Sequence, residues 1–104
     1  MIRPFLEDLA QRVLTFNKQD QRSNLQKRLA ELGLTSGAKI LDFGCGTGLF
    51  ASTIREMGYD YVGYDISAGN IEFAKTQHSG AKFSSSFKEV EKLSPFDCIL
   101  ANCC

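Results

Sequence analysis

A chain of 104 residues, 43% hydrophobic and 23% charged, is sized for one globular domain with an ordinary core. Its 12 basic and 12 acidic side chains cancel, and neither half carries the basic footprint of a nucleic-acid binder. No stretch approaches the ~20 apolar residues of a membrane span, so neither a nucleic acid nor a membrane is expected as partner.

The opening MIRPFLEDLAQRV mixes acids and bases among its apolar positions, unlike a secretory leader, which makes a cytoplasmic location the default. Leu6, Leu9, Val13 and Phe16 recur at intervals of three and four, and Pro4 suits a first helical turn, so a helix is predicted there. FNKQDQRSN interrupts the pattern with capping residues, and Leu25, Leu29 and Leu32 resume it as far as Gly33. Residues 1–36 therefore read as an N-terminal helical cap.

The pattern then alternates over residues 37–104. AKILDF reads as a strand buried on both faces at Ile40 and Leu41. Phe50, Ile54 and Met57 mark one helical face, ended by Gly58. YDYVGYD is a second strand, and Ser67 offers an N-cap for a helix through about His78, closed by Gly80. AKFS is a short third strand, FKEVEKL a short helix and FDCILAN a fourth strand. Strands alternating with helices imply an α/β class with βαβ units and a parallel sheet. His78, at a helix end, reads as a solvated residue favoured by the helix dipole. Cys45, Cys98, Cys103 and Cys104 have no C-x-x-C spacing, and only His78 is on hand to join them. No metal is expected, and the thiols read as small buried apolar groups.

The chemistry concentrates in ILDFGCGTG. Three glycines, Gly44, Gly46 and Gly48, follow the first α/β strand at every second position, where an open α/β sheet holds its ligands. A phosphate-binding loop would need a lysine after Gly48, and none follows. The dinucleotide fingerprint would need a third glycine where Leu49 stands. Asp42 precedes the loop, and an acid so placed repels a pyrophosphate but suits a cation. Asp65 ends the second strand, where a carboxylate can accept hydrogen bonds from both hydroxyls of a ribose. Ile66 follows and can lie flat against a purine. Together these residues describe a cationic adenosine derivative without phosphates.

ILDFGCGTG followed by YVGYDIS resembles the S-adenosylmethionine-binding half of a class I, Rossmann-fold methyltransferase, from about Ala38 to the last residue. The resemblance implies S-adenosyl-L-methionine as cofactor. It implies that Gly44, Gly46 and Gly48, with the main chain of Phe43 and Cys45, border the ribose and the methionine portion. Asp42 would face the methionine ammonium, Asp65 would grip the ribose, and Ile66 would pack on adenine. Where the family often has an acid after the third strand, this chain reads FSSSF, so Ser85 or Ser86 would reach the adenine amino group. Asn102 would approach the sulfonium.

The resemblance also implies the sheet order 3-2-1-4-5-7-6, of which these residues supply 3-2-1-4. On that basis FDCILAN would be an open edge, covered by a further C-terminal segment of a longer methyltransferase or by a second chain. The ending ANCC lacks the Asn/Asp-Pro-Pro-aromatic run of family members that act on nucleobase or amide nitrogens, and no general base is visible. A small-molecule acceptor is the expectation. The alternative is a non-catalytic module that binds the cofactor, or a partner through its open edge.

Overall fold

Ile40 and Leu41 sit side by side in sequence and point into opposite halves of the core, because strand side chains alternate. That two-sided burial fixes the sheet at the centre of the molecule. The computed structural model describes the backbone of residues 13–17 and 22–103 and the side chains of residues 24–101. Val13–Asn17 (β1), Lys39–Phe43 (β2), Asp60–Tyr64 (β3), Lys82–Ser84 (β4) and Cys98–Cys103 (β5) form one sheet in the order β1-β5-β2-β3-β4. Every neighbouring pair is parallel. The helices are Arg22–Glu31 (α1), Ala51–Glu56 (α2), Ala68–Gln77 (α3) and Phe87–Glu91 (α4).

Register builds the core in rows. Leu41 lies opposite Val62 on one side and Ile99 on the other. These three pack with Phe96 and with Val90 of α4. On the other face, Ile40 lies between Tyr61 and Cys98. That row is covered by Leu25 and Leu29 of α1, Ala51 and Ile54 of α2, and Ile71 and Ala74 of α3. Burying each such branched side chain contributes about 1.5–3 kcal/mol. Two of the helix starts are set by hydroxyls: for α3, Ser67 Oγ accepts the Asn70 N–H at 3.2 Å, and for α4, Ser86 Oγ accepts the Glu89 N–H at 3.2 Å.

The strand succession β4-β3-β2-β5 is the 3-2-1-4 order expected from the sequence. Two expectations are corrected. Val13 and Phe16 belong to a strand, where a helix was expected; Leu6 and Leu9 lie outside the described residues. A continuous run such as VLTF does not separate helix from strand by periodicity, and its β-branched Val13 and Thr15 with aromatic Phe16 favour extended backbone. As a consequence β5 is not an open edge. Val13 to Asn17 pair in register with Ile99 to Cys103, and β1 takes up the backbone groups that would otherwise face outward. The partner that was to use an open β5 edge loses that edge.

Candidate functional site

Phe43 and Tyr64 end β2 and β3 as register partners, so the two strands deliver their carboxyl ends to one place. The chain leaving β2 is lashed to the end of β3. The Gly44 and Cys45 N–H groups both donate to the Tyr64 C=O, at 2.8 and 2.9 Å, and the Gly46 N–H donates to Asp65 Oδ2 at 2.9 Å. Such convergence needs backbone of alternating hand. Gly44, Gly46 and Gly48 have φ of 81°, 58° and 87°, while no non-glycine described here has positive φ. A side chain in that region costs about 1–2 kcal/mol per residue, which is why glycine recurs at every second position. Convergent N–H groups of this kind cradle anions in phosphate-binding loops. Here the chain's own carbonyl and carboxylate occupy them, which removes the loop from phosphate duty.

The glycines then differ. A Cβ on Gly48 would lie 2.9 Å from the His78 ring and 3.0 Å from that of Phe83, so this position is closed by packing. A Cβ on Gly46 would meet nothing within 4 Å, so this position faces open space. Main chain is therefore left accessible at Gly46.

Two carboxylates flank the loop. Asp65 Oδ1 accepts the Ser67 N–H at 2.8 Å, so each of its oxygens holds one backbone N–H and keeps further acceptor capacity. Ile66, beside it, is 86% exposed, an apolar surface available for a flat ring. Asp42, by contrast, is wholly buried, and its Oδ2 accepts the Tyr61 hydroxyl at 2.7 Å. Burial first, then the charges of Asp42 and Asp65, push the Cys45 thiol up to about 12. The fields of both carboxylates thus converge on the loop. Burial, and next the Asp42 charge, hold Tyr61 well above the usual phenol range, so its hydroxyl stays a donor.

The other expected site residues are placed as follows. Phe43, Tyr64 and Phe87 form a ring cluster at the strand ends, with centroids 5.1 Å apart for Phe43–Tyr64 and 5.8 Å for Tyr64–Phe87. Of the two serines, Ser86 is spent capping α4, whereas Ser85 is exposed and has no hydrogen-bond partner among the described residues. Asn102 lies in β5 opposite Phe16; its side chain is outside the described residues. His78 is corrected: its ring packs 5.9 Å from that of Phe83, so it is half-buried packing. Sequence reasoning missed Tyr61 and Gly63. The signal was the Tyr-x-Gly spacing, which becomes readable only once Gly63 is known to face Asp42 across the sheet. A groove of about 670 Å³ runs along β4 between His78 and Leu93 and takes in none of the residues of the glycine loop, so size alone does not choose the site.

The model of a family described as a methyltransferase domain matches residues 16–104. The chain belongs to that family. This methyltransferase-domain chain is 31% identical over 93 residues to the ubiquinone biosynthesis O-methyltransferase of Bradyrhizobium sp. (strain ORS 278), a match covering 85% of the chain and 37% of the relative. Among solved structures it is similar to a TehB-like SAM-dependent methyltransferase from Corynebacterium glutamicum, with TM-score 0.57 and 33% identity, covering 71% of this chain and 41% of that one. It is also similar to a SAM-dependent methyltransferase from Thiobacillus denitrificans in complex with S-adenosyl-L-homocysteine, with TM-score 0.54 and 26% identity, covering 83% and 37%. In each case the methyltransferase-domain chain spans well under half the other protein's length. No helix among its described residues is long and apolar enough to cross a membrane.

Proposed function

We propose that this chain supplies the cofactor-binding portion of an S-adenosyl-L-methionine-dependent methyltransferase acting on a small molecule. The observation that carries the reading is the pairing of an open main-chain position at Gly46 with two carboxylate fields converging on the same loop. A cationic nucleoside without phosphates fits that surface, and a pyrophosphate does not.

The residues present fit the cofactor. Asp65 would accept the ribose hydroxyls with the lone pairs its backbone bonds leave over, and exposed Ile66 would cover adenine. Ser85, unspent, would meet the adenine amino group. Gly44, Gly46 and Gly48, with the main chain of Phe43 and Cys45, would border the ribose and methionine portion, and Asp42 would supply negative potential for the ammonium. Asn102 would stand near the sulfonium. The cofactor, when bound, supplies a methyl group already activated on sulfur. What remains for the chain is to orient it and exclude water, and such positioning is worth about 7–11 kcal/mol in favourable cases.

Residues 37–104 carry the cofactor-binding portion in this reading, and Val13–Asn17 adds the edge strand of the same sheet. Buried free thiols at Cys45 and Cys98 suit a reducing, cytoplasmic setting. The relative's name, a ubiquinone biosynthesis O-methyltransferase, supports a small-molecule acceptor. Titration calorimetry with S-adenosylhomocysteine tests the proposal: one-site binding is expected, and no heat of binding overturns it. Transfer of a labelled methyl group to a small-molecule pool tests the activity.

A further inference from the structure

We propose that Tyr61 is a positioning residue that fixes the Asp42 carboxylate beneath the glycine loop and thereby sets recognition of the ligand's cationic amino-acid end. This rests on the cofactor reading above. Its basis is a contact built by three positions. Tyr61 starts two register positions away, opposite Ile40, yet its hydroxyl reaches Asp42 Oδ2 at 2.7 Å. It does so by lying along β3 over Gly63, the residue that faces Asp42 directly. A Cβ on Gly63 would lie 2.9 Å from the Tyr61 hydroxyl oxygen and 2.7 Å from the Phe83 ring. The missing side chain at 63 is therefore the space through which the hydroxyl passes.

Phe83 holds the ring from its edge, with centroids 5.6 Å apart and planes at 64°. Packing explains the ring but not the hydroxyl, because phenylalanine would fill the same volume. The hydroxyl donates at 2.7 Å to a carboxylate with 0% exposure, and the Cys45 thiol lies within its hydrogen-bonding reach. The charge of a buried carboxylate is little screened by water, so its direction matters to a cation at the loop.

The test compares two ligands on the full chain. S-Adenosylhomocysteine carries the amino-acid end, whereas 5′-methylthioadenosine keeps the adenosine and thioether but lacks that end. Tyr61→Phe is expected to weaken S-adenosylhomocysteine roughly five- to tenfold and to leave 5′-methylthioadenosine unchanged. Equal loss of both would mark Tyr61 as merely structural, and no loss of either would mark its hydroxyl as idle; each result overturns the proposal. Should Tyr61→Phe not fold, the unmodified protein labelled with tyrosine at 13Cζ gives the same decision. The Tyr61 resonance, assigned with Tyr59→Phe and Tyr64→Phe, is expected to move with S-adenosylhomocysteine and not with 5′-methylthioadenosine, and equal movement or none overturns the role. A wild-type chain that binds neither compound overturns the cofactor reading itself. One that binds both, with unselective loss on Tyr61→Phe, overturns only the role of Tyr61.

Discussion

At the amino end of β2, Lys39 turns its polar groups inward. Its N–H donates to Asp97 Oδ2 at 2.8 Å, its C=O accepts the Asp97 N–H at 2.8 Å, and its ammonium donates to the Leu93 C=O at 2.6 Å while lying 5.8 Å from the Phe96 ring centroid. At the carboxyl end of the same strand, Asp42 and Asp65 also accept hydrogen bonds from the chain, but around them lie an open Gly46, an exposed Ile66 and an uncommitted Ser85. Both ends carry charge. Gly37 at the amino end is as open as Gly46, but only the carboxyl end sets open main chain beside two carboxylates and the exposed Ile66, and that combination separates a latch from a binding surface.

Substitutions at the two ends can break this contrast. The largest effect is expected within the loop, where Gly48→Ala adds left-handed strain to a collision with His78 and Phe83 and should cost ~2–5 kcal/mol of stability in urea unfolding. Gly46→Ala meets open space and should cost only the strain, ~1–2 kcal/mol; equal losses would erase the distinction between a packed and a ligand-facing glycine. Asp65→Ala should reduce S-adenosylhomocysteine affinity by ~1.5–3 kcal/mol in calorimetry. Lys39→Met, at the other end, should lower stability by about 1 kcal/mol and leave that affinity unchanged. Affinity lost there would mean that the two ends are not separable.

A last effect is confined to alkaline pH. Burial, more than any neighbouring charge, raises Cys98 from 9.0 to about 11, as it raises Cys45 to about 12. Above pH 9 the unfolded chain releases these protons while the folded one keeps them, so stability should fall as pH rises from about 9 to about 11. Thermal melts across that range check it; a flat Tm would mean that the thiols are not held in the core.

Much of this arrangement was legible in the residues. The strands β2 to β5 announce themselves through apolar runs between glycines and caps, and their order followed from the resemblance. The loop's glycines and Asp65 were readable because their signal is local. Three features were not. VLTF is too short to reveal its period, and its spacing with Leu6 and Leu9 mimics a helix where β1 forms. The Tyr61–Asp42 contact depends on cross-strand register, which no single strand encodes. The helix-end position of His78 says nothing of Phe83, which arrives from β4 and decides its surroundings.

The position of β5 between β1 and β2 has a consequence for how the protein is made. Val13 pairs with Ile99 and Leu41 pairs with the same residue from the other side, so a late-synthesised segment must slot between two that emerged from the ribosome long before. Contacts so distant along the chain form slowly. Until that insertion the nascent polypeptide carries two unsatisfied flanks, and it is then that a chaperone would matter most to it.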